Sequence, residues 1–384
     1  MSHPTFLLPA NEGNSADVSN MHTWRSLTDS FGSTREKPLL DRAEYDALST
    51  EDAEDYDDIR QDAMANLPKF RTPMGEAVGD DLRKTLKANT RNLDPGVRTG
   101  IFVSATSSLG KSTLVTEVAV DFDRWMCKRR EERPQRYATY TEWVPVVWIS
   151  VPANVTISNL CRRVIGFYGE EGTLRARTTE STLVTRVQAL ARDCGTKLIV
   201  LDDITRLRMH REQDQNAADW LRSFMETSVT IVGVGVDVAN SGLLNEGNVA
   251  ARERNLATQT RRRFKVLELE SFNRSEEGQA AWFKHLQKVE SVLPLLDRRP
   301  GMLTEHADLL YARTHGVIGS LTRLITEVGG EAIGGTETIT ADAIHRAALD
   351  HAASSDDHAA PSIPAQQRRR RPGANSMYND HGAA

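Results

Sequence analysis

Five short apolar runs organise the middle of the chain: 100–104 (GIFVS), 144–151 (VPVVWISV), 197–201 (KLIVL), 230–234 (TIVGV) and 263–269 (RFKVLEL). The first four are apolar on both faces, the pattern of strands covered on both sides. Between the runs, apolar positions recur at helical spacing. Leu114, Val115, Val118, Phe122 and Trp125 mark a helix over 111–130, and similar patterns span 156–168 and 181–194. Strands alternating with helices predict a parallel sheet with helices on both faces. Past Ser271 only helical patterns remain, over 276–286, 303–314, 320–332 and 341–351. The expected organisation is an α/β domain over 66–271 followed by a small all-helical domain over 272–351.

The two ends differ from this middle. Residues 41–62 hold ten carboxylates against Arg42 and Arg60 alone, which predicts an acidic, disordered arm over 1–65. Residues 352–384 are rich in Ala, Ser, Pro and Asp and carry Arg368 to Arg371 in a row, which predicts a disordered, solvated tail, with an arm that touches nucleic acid as the alternative. Charge over the whole chain is nearly balanced, 48 basic against 53 acidic side chains for a net of −5. That excludes a protein that coats nucleic acid with its entire surface and leaves room for a local basic face. Cys127, Cys161 and Cys194 lie too far apart for a CxxC pair, as expected of a protein of the reducing cytoplasm. The N-terminus shows no basic-then-apolar leader and no run approaches 18 apolar residues, so neither secretion nor membrane spanning is expected.

One segment concentrates chemistry. Ser104-Ala-Thr-Ser-Ser-Leu-Gly-Lys-Ser-Thr113 follows the first run and opens the first helix, the placement a phosphate-binding loop requires. Backbone N–H groups from Ala105, Thr106, Ser107, Ser108 and Leu109 onward would curl around a phosphate, aided by the positive end of the helix. Gly110 allows close backbone approach. Lys111 would reach the β- and γ-phosphates, Ser112 would offer its hydroxyl to Mg²⁺, and Thr113 completes the motif. The motif G-x-x-x-x-G-K-[ST] places glycine where this chain has Ala105, tolerable if its φ is negative. A second element is Lys197-Leu-Ile-Val-Leu-Asp-Asp203. Ligands in parallel α/β sheets sit beyond the carboxyl ends of strands. Asp202 would therefore hold Mg²⁺ together with Ser112, and Asp203 would orient or deprotonate the attacking water. Many ATPases place Glu there. Asp is one methylene shorter, with about 1.5 Å less reach, so slow ATP hydrolysis is expected.

These motifs, in the order phosphate loop, VPVVWISVP, LIVLDD, a helix with Asn216 and Trp220, TIVGVGVDV and Gln259-Thr-Arg-Arg-Arg-Phe264, resemble the TniB group of AAA+ ATPases, the ATP-dependent helpers of Tn7/Tn5053-like transposons. The resemblance covers about 65–350. It implies an AAA+ parallel sheet with a helical lid, a ring or helical oligomer with ATP between neighbours, and an arginine that completes the next subunit's site. Arg263, before Phe264, matches that arginine, with Arg261 and Arg262 beside it as alternatives. It also implies double-stranded DNA as a partner, presented to a transposase or TniQ-like protein. Two departures stand out. Val234-Gly-Val236 carries no polar group to sense the γ-phosphate, and Gly319 falls where many AAA+ lids have an arginine; Arg323 reads as a surface residue. DNA contact needs clustered cations. The candidates are Lys128, Arg129 and Arg130 with Arg133, then Arg162 with Arg163, then Arg206, Arg208 and Arg211. An ATP-switched protein scaffold and a helicase loader are the competing expectations.

Overall fold

In this computed structural model the described residues are 4–10, 18–93, 98–140, 142–170, 172, 177–207, 220–221, 224, 227–238 and 263–348. Five strands form the central sheet: β3 (Gly100–Ser104), β4 (Val146–Ser150), β5 (Leu198–Asp202), β6 (Thr230–Gly235) and β7 (Phe264–Glu268). Their order is β4-β5-β6-β3-β7, and every neighbouring pair is parallel. Ile101, Phe102, Val103, Val146, Val147, Ile199, Val200, Leu201, Ile231 and Val232 are fully buried, each stabilising the fold by roughly 1.5–3 kcal/mol. The helices around the sheet are α4 (Pro73–Arg91), α5 (Lys111–Glu132), α6 (Ile157–Phe167) and α7 (Glu180–Asp193). From β3 the chain crosses to one edge of the sheet and later returns to β7 on the other side of β3. The carboxyl end of β3 is therefore a topological switch point, where such sheets bind ligands.

A second core belongs to α8 (Glu276–Glu290), α9 (Ala307–Thr314), α10 (Ile318–Ala332) and α11 (Ala341–Arg346). Trp282, Leu286, Leu321, Leu324, Ile325 and Val328 fill it. The buried Glu290 accepts from the N–H groups of Gly301, Leu303 and Thr304 at 3.1, 3.0 and 3.3 Å, so its charge is met by three donors. The tail 352–384, with Arg368 to Arg371, lies outside the described residues, as do Arg208, Arg211, Asn216, Gln259, Arg261 and Arg262.

The expectation of a disordered arm over 1–65 is corrected by the structure. Its described residues form β1 (Thr5–Pro9), α1 (Met21–Ser30), β2 (Thr34–Pro38), α2 (Arg42–Asp46) and α3 (Thr50–Ala65), with β1 and β2 paired antiparallel. The physical reason lies in period, not net charge. Along α3 the carboxylates Glu51, Asp52, Glu54, Asp55 and Asp58 are exposed, while Tyr56, Ile59, Ala63 and Met64 return every three or four residues to apolar surroundings. Ser49 caps the helix, and Glu51 and Asp52 sit in its first turn, where the helix dipole favours negative charge.

The segment also bridges both cores. On one side Trp24 stacks on Trp148, centroids 5.9 Å apart and planes at 10°, and its Nε1 donates to the buried Asp123 at 2.9 Å. On the other, Arg60 is fully buried and donates to Glu337 at 2.7 and 3.0 Å, to the Pro294 carbonyl at 3.3 Å and to Asp57. The Arg60 guanidinium also lies 5.2 and 5.3 Å from the Tyr45 and Tyr56 ring centroids.

Candidate functional site

The phosphate-loop segment leaves the carboxyl end of β3 and turns into α5 at Gly110, which takes φ 79° as the N-cap. A left-handed residue at this point suits glycine. Ser108 is also left-handed, at φ 61°, whereas Ala105 is not among the positive-φ residues. The buried Ala105 N–H donates to the Gly235 carbonyl at 3.3 Å, so alanine is accommodated there. Ser104 Oγ accepts from the Val238 N–H at 3.1 Å, tying the start of the loop to the end of β6. Lys111 is only 8% exposed, and its Nζ donates to the Thr106 carbonyl at 2.7 Å. Burial lowers its pKa, against the opposing pull of Asp203 and Asp202. The ammonium thus spans the loop it would share with an anion.

Ser112 Oγ donates to Asp202 Oδ1 at 2.9 Å. β3 and β5 are separated by β6, so two elements 90 residues apart in sequence meet at the switch point. Burial raises the Asp202 pKa, and the Ser112 hydrogen bond opposes that rise. Asp203 follows in a left-handed conformation, φ 57° and ψ 39°, with its N–H donating to Asp202 Oδ1 at 3.1 Å. Its carboxylate pairs with Arg206 at 3.2 Å. Arg206 therefore stands beside the acidic strand end rather than forming a free basic patch.

A cavity of about 830 Å³ opens beside the loop, lined by Leu67, Phe70, Leu109, Thr113, Ile318 and Arg323 among others. It lies between the segment ahead of α4, the start of α5 and the start of α10. His285 also lines it; burial holds this imidazole down at about 4, hence neutral at physiological pH. No periodic signal marks this cavity along the chain, because its walls come from three separated stretches. Leu67 and Phe70, two apolar residues in a non-helical segment, were the only local hint.

The lid meets the loop at Gly319, whose N–H donates to the Ser108 carbonyl at 2.8 Å. A Cβ built there would lie 2.5 Å from that carbonyl oxygen. Glycine at this position is thus a matter of close approach, and no arginine fits. We expect Gly319→Ala to push α10 off the loop, destabilising by roughly 1–3 kcal/mol. Scanning calorimetry should register a lower melting temperature. A rise, as alanine's better helix propensity alone would give, would show that the contact is slack.

Other expected residues are dispersed. Arg263 sits at the entry to β7, where Phe264 pairs with Gly100 and Glu268 with Ser104. That is the end of the sheet away from the loop, about 13 Å off at 3.3 Å per residue. Arg162 and Arg163 lie on α6, and Lys128, Arg129 and Arg130 on the last turns of α5.

A parallel sheet with a phosphate-type loop at its switch point, joined to an all-helical domain, defines a P-loop NTPase fold of the AAA+ type. The sequence profile described as "Bacterial TniB protein" matches residues 73–274; the chain belongs to the TniB family. Among solved structures it is similar to the Aeropyrum pernix ORC1 protein in complex with DNA, at 15% identity and TM-score 0.43, over 72% of this chain and 65% of that one. It is also similar to the ADP form of the Aeropyrum pernix ORC2 protein, at 14% identity and TM-score 0.44, over 72% and 68%. A Cdc6p from Pyrobaculum aerophilum matches at 14% identity and TM-score 0.43, over 71% and 65%. The chain spans about 65% of the length of the ORC1 protein it matches. No curated protein matches it. No helix among the described residues is long and apolar enough to cross a membrane.

Proposed function

We propose that this protein is an ATPase of the cytoplasm that binds ATP with Mg²⁺, assembles with copies of itself, binds double-stranded DNA, and helps select or present target DNA for transposition to a transposase or TniQ-like partner. The observation that carries the nucleotide part is the 2.9 Å pairing of Ser112 with Asp202 beside a buried Lys111. A hydroxyl and a carboxylate converging at a helix N-terminus form the oxygen donor set that suits Mg²⁺. When bound, the ion neutralises charge between the phosphates. The chain's own residues divide the remaining work. Loop N–H groups and Lys111 orient the phosphates, the cavity beneath α10 receives the rest of the nucleotide, and Asp203 positions water once it parts from Arg206. Arg263, at the far end of its own sheet, would serve a neighbouring copy rather than its own loop.

Membership of the TniB family supports the DNA part. A labelled duplex titrated with the protein should bind when a non-hydrolysable ATP analogue is present and weakly without it, by fluorescence anisotropy. The affinity should drop by several orders of magnitude between about 50 and 200 mM salt if six or more phosphates are engaged. Equal binding with and without nucleotide would remove the ATP switch. Nucleotide binding with no DNA affinity would leave a protein scaffold instead.

A further inference from the structure

The last turns of α5 carry cations that the nucleotide site does not use. Helices α4 and α5 run side by side in the same direction, because their contacts advance together. Arg83 on α4 meets Glu117 and Asp121 at 3.1 and 3.2 Å, and Lys87 Nζ lies 5.8 Å from the Trp125 ring centroid one turn later. One further turn places Arg91 level with Arg129. Arg129 stands 4.8 Å from the Trp125 centroid and Arg130 5.2 Å from that of Trp143. Arg133 follows α5, and Arg136 stands in the turn Pro134–Tyr137, whose Tyr137 ring packs on Trp143 at 5.1 Å. Lys87, Arg91, Lys128, Arg129, Arg130, Arg133 and Arg136 thus gather where the carboxylates of the same stretch are Glu131 and Glu132, the latter 4.0 Å from Lys128. Seven cations against two anions is a local excess in a chain whose net charge is −5.

Two features separate this face from an ordinary solvated helix end. Rings of Trp125 and Trp143 hold the guanidinium groups of Arg129 and Arg130, which lowers the ordering cost of contacting an anion. The cations also come from three neighbouring elements, the ends of α4 and α5 and the turn that follows α5. α5 spans 22 residues from Lys111, so its far end lies about 30 Å from the phosphate loop at 1.5 Å per residue. A polyanion there does not compete with nucleotide.

Resting on the DNA-binding function proposed above, we propose that this face, built by the ends of α4 and α5 and the turn after them, holds the phosphate backbone of duplex DNA. Contact is sequence-independent, because arginines pinned on aromatic rings meet phosphates, which carry no base information.

The test is a chain carrying Lys128→Gln, Arg133→Gln and Arg136→Gln, three exposed residues. In anisotropy with a non-hydrolysable ATP analogue, duplex affinity should drop on the order of tenfold or more. The slope of log affinity against log salt should shrink by about 2.7, three phosphates at ~0.9 each. Calorimetric heat with magnesium-ATP should match the parent, which reports an intact fold. Lys284→Gln with Lys288→Gln, exposed on α8, should leave both affinity and slope unchanged. If the triple variant keeps the parent's affinity and slope, the face is wrong while DNA binding stands. Preference of the parent for single-stranded RNA over duplex also overturns it. A parent that binds no duplex with nucleotide present sinks both the face and the DNA part of the proposed function.

Discussion

A chain carrying Lys111→Ala should release no heat when titrated with magnesium-ATP. Lys111 is held in place before any ligand arrives, buried and donating to the Thr106 carbonyl at 2.7 Å. Its ammonium is desolvated, so it would meet an incoming phosphate at low local dielectric, where a charge pair is strongest. Removing it leaves the phosphates facing Asp202 and Asp203 with a single helix N-terminus as compensation. Loss of one partner of a buried charge pair costs roughly 3–5 kcal/mol, about a hundredfold to several thousandfold in affinity. Affinity within threefold of the parent would refute the role of this loop, and with it the ATP-dependent function. Circular dichroism keeps the result interpretable, since the change removes one hydrogen bond and should leave the helix content intact.

Glu337→Ala should lower the melting temperature by about 10 °C, from a destabilisation of roughly 3–5 kcal/mol. Its carboxylate is 1% exposed and accepts from Arg60, from the Leu296 N–H at 3.0 Å and from the Gly334 N–H at 2.8 Å. Without it, a fully buried guanidinium keeps only Asp57 as a counter-charge, and two backbone donors lose their acceptor. The double change Arg60→Met with Glu337→Leu should recover much of the loss, because an apolar pair replaces the ions without leaving one uncompensated. An unchanged melting temperature in Glu337→Ala would mean that the first 65 residues are not fastened to the helical domain in solution.

The sheet was legible in the chain because its strands are buried on both sides, so runs such as Val146-Val-Trp-Ile149 have no polar residue to blur them. The phosphate-loop segment was legible because its spacing is local and its flanks, a strand and a helix, are unambiguous. Asp202 could be set beside Ser112 by a general rule about strand ends, and the structure brings the two together. Three things were hidden, each for a physical reason. Carboxylates on the exposed side of α3 outweighed the period of Tyr56, Ile59 and Ala63, so a folded segment read as an acidic arm. α4, by contrast, is marked in the chain: Thr72 caps it, Pro73 opens it and Val78, Leu82 and Leu86 repeat every four residues. The approach of Gly319 to Ser108 and the pairing of Asp203 with Arg206 depend on where elements and rotamers settle, and no spacing encodes them.

The fastening of residues 5–65 across both cores bears on how the protein can be handled. The family match begins at residue 73 and ends at 274, a tempting place to trim. A fragment cut there would lose Trp24 from the ring of Trp148 and would leave behind α8 to α11 altogether. Its indole and strand surfaces, now shielded, would face water as a contiguous apolar area, the usual prelude to precipitation on expression. Preparations should keep the first 65 residues and the helical domain, even though neither lies inside the stretch that the family shares.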